Sequence, residues 1–244
     1  MTAAAPQEKS VSARDLAGLC DAADGQVAAT MYHLLTGCDP ADVAIDSDDS
    51  FDRHVFASIL AVAATEGEAI AGSAGLAARD LAALMAQWFP AAPRPTAIWC
   101  ESDGCGDDEE VAMIRDLLLA NRSTRGETGR WLAAMIARRA VEPNHLWEDL
   151  GLRNRTELSR MLERHFSPLA SRNTRNMRWK RFFYRVLCED DGLVMCTTPV
   201  CTQCSDFVLC FGDESGESRL ALQRRLFDLA AATPASGSTP PAST

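Results

Sequence analysis

No stretch of this 244-residue sequence has the unbroken apolar run of a membrane span. The first ten residues, Met1 to Ser10, lack the apolar middle of a signal peptide, so a soluble, cytoplasmic protein is expected. Catalytic signatures are missing as well: there is no Gly-rich phosphate loop, no Rossmann fingerprint and no Ser-His-Asp order. Histidine is scarce, at four residues (His33, His54, His145, His165), and none is expected to form an H-x-x-x-H or H-x-x-E pair of metal-ligand spacing. These absences argue against a hydrolytic or nucleotide-driven active site. Alternating apolar and polar positions of useful length are also lacking, which leaves no basis for a β-sheet, and no internal repeat is visible. Positive charge is in deficit, with 24 Lys and Arg against 34 Asp and Glu for a net −10. That balance weighs against nucleic acid or an anionic membrane as the main partner.

What is present is helical periodicity over a 47% apolar chain, enough for a sizeable core. Leu16, Leu19, Cys20 and Ala23 share a face continued by Val27, Met31, Leu34 and Leu35, up to a stop at Gly37. A second helix is expected from about Ser50 through His54 to Thr65. Leu81, Leu84, Met85 and Trp88 mark a third, stopped by Pro90. Val111, Ile114, Leu117 and Leu118 mark a fourth, with Asp107, Asp108, Glu109 and Glu110 at the positive end of its dipole. Trp131, Leu132, Met135 and Ile136 mark a fifth. Asn154 and Glu157 have the spacing of a capping box at the head of a helix carrying Leu158, Met161, Leu162 and Phe166. Further helices are predicted over 175–189 and 218–230. The expected fold is all-α: one multi-helix domain over 11–230 with an irregular cysteine-rich loop over 188–212. Residues 1–10 and the Ser/Pro/Ala-rich tail 231–244 are expected to be disordered.

Four of the nine cysteines lie within fifteen residues, Cys196, Cys201, Cys204 and Cys210, spaced C-x4-C-x2-C-x5-C. Thiolates this close converge on one small inorganic object. Zinc sites usually split their ligands into two separated knuckles, whereas iron–sulfur clusters are more often held by a compact run. The spacing favours an iron–sulfur cluster, with zinc or a reducible disulfide pair as the plain alternative. Phe207, Val208, Leu209 and Phe211 interleave with the cysteines and would sheath a cluster from water. Cys100 and Cys105 form a second C-x4-C in an acidic loop and read as non-ligands by default. Cys20, Cys38 and Cys188 read first as small buried residues on or beside helical faces. His54 and His145 stand beside apolar residues, where a packed, hydrogen-bonded imidazole is the default.

Between Arg153 and Arg185 ten basic residues face only Glu157 and Glu163. Part of this stretch, from His145 to Leu162, superficially resembles a helix-turn-helix. A solvated helix face is the plain reading, and a docking surface for an acidic partner or an oxyanion is the functional one. Taken from residues alone, three functions stand: a metal-cluster carrier, a [4Fe–4S] electron-transfer module, and a zinc-stapled DNA-binding regulator.

The run Asn173-Thr-Arg-Asn-Met177-Arg-Trp179-Lys-Arg-Phe182-Phe-Tyr184-Arg-Val-Leu-Cys188-Glu, followed by the cysteine quartet and Phe211-Gly212, closely resembles the NifQ family. Arg53 to Leu60, Arg130 to Arg139 and Pro143 to Leu152 resemble it too, so the likeness covers roughly 50–212. The resemblance implies a nitrogen-fixation protein that is not an enzyme but a carrier. It would supply molybdenum for the iron–molybdenum cofactor of nitrogenase. It further implies a molybdenum-containing iron–sulfur cluster on Cys196, Cys201, Cys204 and Cys210, with [4Fe–4S] or [3Fe–4S] precursor states. The implied partners are nitrogenase cofactor-assembly proteins (a scaffold or the nitrogenase reductase) and a molybdate or molybdenum–sulfur source, with no nucleic acid and no membrane.

Overall fold

A computed structural model describes residues 24–66, 69–92, 108–190 and 210–211. Among the described residues every regular element is helical, as the periodicity predicts. The α-helices are α1 (Asp24–Thr36), α2 (Asp48–Ala63, continued by a 3₁₀ turn at Ala64–Glu66), α3 (Ile70–Ser73), α4 (Ala78–Trp88), α5 (Glu109–Ala120), α6 (Glu127–Ala140), α7 (Leu146–Asp149), α8 (Arg155–His165), α9 (Ser167–Ala170) and α10 (Trp179–Asp190). None of them is long and apolar enough to cross a membrane. The faces expected around Leu16 to Ala23 and 218–230, and both terminal segments, lie outside the described residues.

Local chemistry sets the helix ends. Gly37, at φ +75°, stops α1 in a conformation that costs a residue with a side chain about 1–2 kcal/mol. α2 starts before Ser50 because Ser47 caps it. The Ser47 hydroxyl accepts from the Ser50 amide and the Ser50 hydroxyl from the Ser47 amide, both at 3.1 Å. Asp108 caps α5 and leaves Glu109 and Glu110 in its first turn, as the acidic run predicts. α10 begins four residues later than the sequence suggests. Residues 173–178 are instead spent on a turn in which Asn176 adopts φ +54°, within reach for an asparagine.

One continuous apolar cluster runs from Ala28 to Val186. α1 packs on α2, α5 on α6, α7 on α6 and α8, and α10 on α5. The core-facing side chains are those the periodicity selects, among them Leu81, Ile114, Trp131, Ile136 and Met161. Burial contributes about 1.5–3 kcal/mol for each large one. Gly151 lets α7 approach α2 closely, since a Cβ there would stand 2.6 Å from Val62 Cγ2 and 2.7 Å from the Ser58 carbonyl oxygen.

Two polar pairs are set into this core, and both join α2 to α8. Asp52 Oδ1 is 2.9 Å from His165 Nε2, and His54 Nε2 is 3.1 Å from Glu157 Oε2. All four residues are buried, the most exposed at 5%. Each imidazole is engaged on both nitrogens, since Nδ1 of His54 meets the Tyr32 hydroxyl at 2.6 Å and Nδ1 of His165 meets Thr124 Oγ1 at 3.0 Å. Burial pushes the Tyr32 hydroxyl up to about 12. Burial alone would raise the Asp52 carboxyl, but hydrogen bonds from His165 and Arg164 outweigh it and hold the group below its ordinary value. Glu157 is held down against burial in the same way by His54 and the Arg153 amide.

A carboxylate depressed in the folded state contributes stability that is present above its unfolded pKa and is lost as pH falls through the folded value. The resistance of the wild type to urea should therefore fall as pH drops below about 4, the ordinary carboxylate range. Asp52→Ala should lose about 3 kcal/mol at neutral pH and show a shallower acid dependence. An unchanged acid limb in that variant would mean that the pairing contributes nothing to the pH profile.

Candidate metal centre and the basic pocket beside it

Of the four clustered cysteines, Cys196, Cys201 and Cys204 lie outside the described residues, and Cys210 lies within them. The Cys210 carbonyl accepts a 2.8 Å hydrogen bond from the Arg178 amide, just ahead of α10. Phe211 is half-buried against the core, with the Arg175 guanidinium 5.1 Å from its ring centroid. The described residues stop at Asp190 on α10 and resume at Cys210, which is bonded to the residue just ahead of the same helix. The helix is roughly 18 Å long at 1.5 Å per residue.

α10 is itself firmly placed. Trp179, Phe182, Phe183 and Val186 are buried, with the Trp179 and Phe182 rings edge to face at 5.7 Å. Trp179 Nε1 donates to Ser159 on α8, at 3.3 Å. The Tyr184 hydroxyl donates to Glu110 on α5, and burial followed by that carboxylate raises its pKa. The turn ahead of α10 is closed by the Asn173 side chain, which accepts from the Met177 amide (2.8 Å) and donates to the Met177 carbonyl (2.9 Å). Arg155 reaches over from α8 to donate to the carbonyls of Asn176 and Met177. The run Asn173 to Tyr184 is thus a mount: a turn, a buried aromatic face and a polar tie at each side.

Beside this mount lies a cavity of about 400 Å³ lined by Pro143, Asn144, His145, Leu146, Glu148, Arg178, Lys180 and Arg181. Lys180 is pinned by Asp149 Oδ2 at 2.6 Å and by the Glu142 carbonyl, and Asn144 steadies the other Asp149 oxygen at 2.9 Å. Burial outweighs Asp149 and lowers the Lys180 pKa from the ordinary lysine value. Glu148 Oε2 accepts from the His145 amide at 3.0 Å. The sequence does hold one H-x-x-E pair, His145 with Glu148, contrary to the expectation that none is present; here the Glu148 carboxylate is turned to the His145 amide.

The remaining candidates separate clearly. His54 and His165 are committed to the buried carboxylates, as the default reading of a packed imidazole predicts for His54. His33 is exposed on α1, 3.7 Å from Asp39. Cys38 is exposed rather than buried, because α1 has already ended at Gly37 and no apolar face continues past it. Cys188 is half-buried on α10. Cys20, Cys100 and Cys105, with Phe207, Val208 and Leu209, lie outside the described residues. Among the described residues no three His, Cys, Asp or Glu side chains gather in a metal-binding group.

The basic side chains of this stretch are half-exposed or exposed, and most are tied to groups of this same chain. Arg153 donates to the carbonyls of Pro40 and Val43, and Arg160 to that of Ile45 while stacking 4.0 Å over Phe51. Arg164 pairs with Asp52 and Asp48, Arg172 with Asp190, and Arg185 with Glu189. A guanidinium offers several donors at once, which suits it to lacing loop carbonyls onto a helix. The loop from Pro40 to Ile45 is fastened to α8 in this way.

Because Trp179 anchors the mount, Trp179→Ala should cost about 3–5 kcal/mol in urea unfolding, and Trp179→Phe distinctly less. A loss under about 1 kcal/mol for the alanine variant would contradict this assignment.

The sequence model of the NifQ family matches residues 55–212, which span both the helical mount and the cysteine quartet. A protein NifQ homolog of Sinorhizobium fredii is 44% identical over 186 residues, covering 73% of this chain and 78% of its own. Protein NifQ of Rhodobacter capsulatus is 42% identical over 148 residues, covering 57% of this chain and 76% of its own. Protein NifQ of Azotobacter vinelandii is 43% identical over 106 residues, covering 43% and 54%. No solved structure matches the chain. With the family model covering more than half of the sequence and a relative at this identity along most of it, the chain belongs to the NifQ family.

Proposed function

We propose that this protein is a cytoplasmic carrier that holds a molybdenum-containing iron–sulfur cluster on Cys196, Cys201, Cys204 and Cys210. It supplies molybdenum for assembly of the nitrogenase iron–molybdenum cofactor. Membership of the NifQ family supports a nitrogen-fixation role linked to molybdenum processing. The single observation that carries the finer reading is the hydrogen bond that holds Cys210, the last of the four cysteines, to Arg178 just ahead of a helix packed on the core. Four thiolates are a soft donor set suited to iron and molybdenum in sulfide clusters. The cluster is cargo, to be loaded onto the chain and passed on. Nothing in this reading asks the chain to turn over a substrate, and its partners are the cofactor-assembly proteins that receive the metal.

Cys204→Ser should lose iron and molybdenum together from anaerobically purified protein while its helical circular dichroism stays unchanged. Cys38→Ser, at an exposed thiol beyond α1, should keep both metals. Wild-type iron and molybdenum in Cys204→Ser would contradict the ligand assignment.

A further inference from the structure

The Arg178 amide that holds Cys210 belongs to a peptide unit that is itself held on its other side. A trans peptide points its carbonyl and its N–H in opposite directions. In the Met177–Arg178 unit the N–H donates to the Cys210 carbonyl at 2.8 Å, while the Met177 carbonyl accepts from Arg155 Nη2 and from Asn173 Nδ2, each at 2.9 Å. Two donors on the carbonyl polarise the unit and strengthen its N–H toward Cys210. The same nitrogen of Arg155 also donates to the Asn176 carbonyl at 3.1 Å and to Asn176 Oδ1 at 2.9 Å. It thereby grips the residue whose φ of +54° turns the chain into that peptide.

Arg155 stands on a firm base. It opens α8 directly behind the Asn154 cap, in the turn whose Glu157 is buried against His54 of α2. Its guanidinium is a charged donor, and charge-assisted bonds to carbonyls are stronger than those of a neutral amide such as the Asn173 side chain. One residue beyond Cys210, the Phe211 ring lies 5.1 Å from the guanidinium of Arg175, which belongs to the same turn. Cys210 is therefore fixed at its own carbonyl and through the ring of its neighbour. We infer that Arg155 is a positioning residue for the fourth cysteine. Acting from α8 through the Met177–Arg178 peptide, it sets where Cys210 stands to take and keep a cluster. The cargo in this role rests on the carrier reading above, whereas the clasp on Cys210 is a property of the chain itself. Removing Arg155 leaves all four thiols in the chain and loosens the backbone that carries one of them.

Hydrogen exchange at the Arg178 amide, and the rate at which a chelator strips iron, are measured on the full-length chain purified anaerobically. Wild type, Arg155→Ala and Arg155→Lys are compared. The alanine variant is expected to exchange the Arg178 amide about tenfold or more faster, with the core amides of α6 unchanged, and to release iron about tenfold faster. Arg155→Lys keeps a charged donor and is expected to be slower than the alanine variant in both. Wild-type exchange at Arg178 in Arg155→Ala, or faster exchange there with iron released at the wild-type rate, would overturn the positioning role and leave the cluster standing. Exchange raised equally throughout α6 would overturn it too, as a general loss of stability. A wild type that holds no iron–sulfur cluster would sink the carrier reading, and the exchange rates alone would then decide the clasp on Cys210.

Discussion

The hydrogen bond between the Arg178 amide and the Cys210 carbonyl is the constraint around which this molecule is organised. That contact ties Cys210, the last of the clustered cysteines, to the residue just ahead of α10. The rest of the fold keeps α10 from moving. Its aromatic face is buried against the core, Tyr184 is tied to α5, Trp179 to α8, and the preceding turn is laced by Asn173 and Arg155. Packing thus fixes the backbone that holds Cys210, in the way a binding site on a loop is positioned by its scaffold.

The electrostatics follow the same division. Most of the arginines close on loop carbonyls or on carboxylates, so the positive charge concentrated between Arg153 and Arg185 serves mainly as internal fastening. The paired Asp52–His165 and Glu157–His54 contacts cross between α2 and α8. A buried ion pair or charge-assisted hydrogen bond adds little net stability relative to apolar packing, but its directionality fixes how two helices meet. Arg178, Lys180 and Arg181 line one recess at the start of α10, with Lys180 paired to Asp149.

Much of this was legible in the sequence, and the reasons for success and failure are physical. Helices with a one-sided apolar face and strong stops, such as α4 before Pro90 or α5 behind its acidic run, appear nearly where periodicity puts them. Four-residue helices such as α3, α7 and α9 are too short to show a period at all. The Asn154–Glu157 spacing reveals a helix start, and Asn154 does accept from the Glu157 amide at 3.1 Å. The carboxylate of Glu157, however, turns to His54 and the Arg153 amide, partners more than a hundred residues away or just outside the helix, which no local pattern encodes. Arginines that bond to carbonyls look like any other basic run, because a backbone acceptor leaves no trace in side-chain sequence. Cys38 misled for a simpler reason: the face it was assigned to ended at Gly37.

The claim at the centre of this account is that the mounted cysteine stretch carries molybdenum together with iron and sulfide. Metal and acid-labile sulfide analysis, with an electronic spectrum, of protein purified anaerobically from cells given molybdate tests it most directly. The account predicts iron, sulfide and molybdenum in one coloured species. A colourless protein containing zinc, or a cluster with iron and sulfide that takes up no molybdenum, would contradict it.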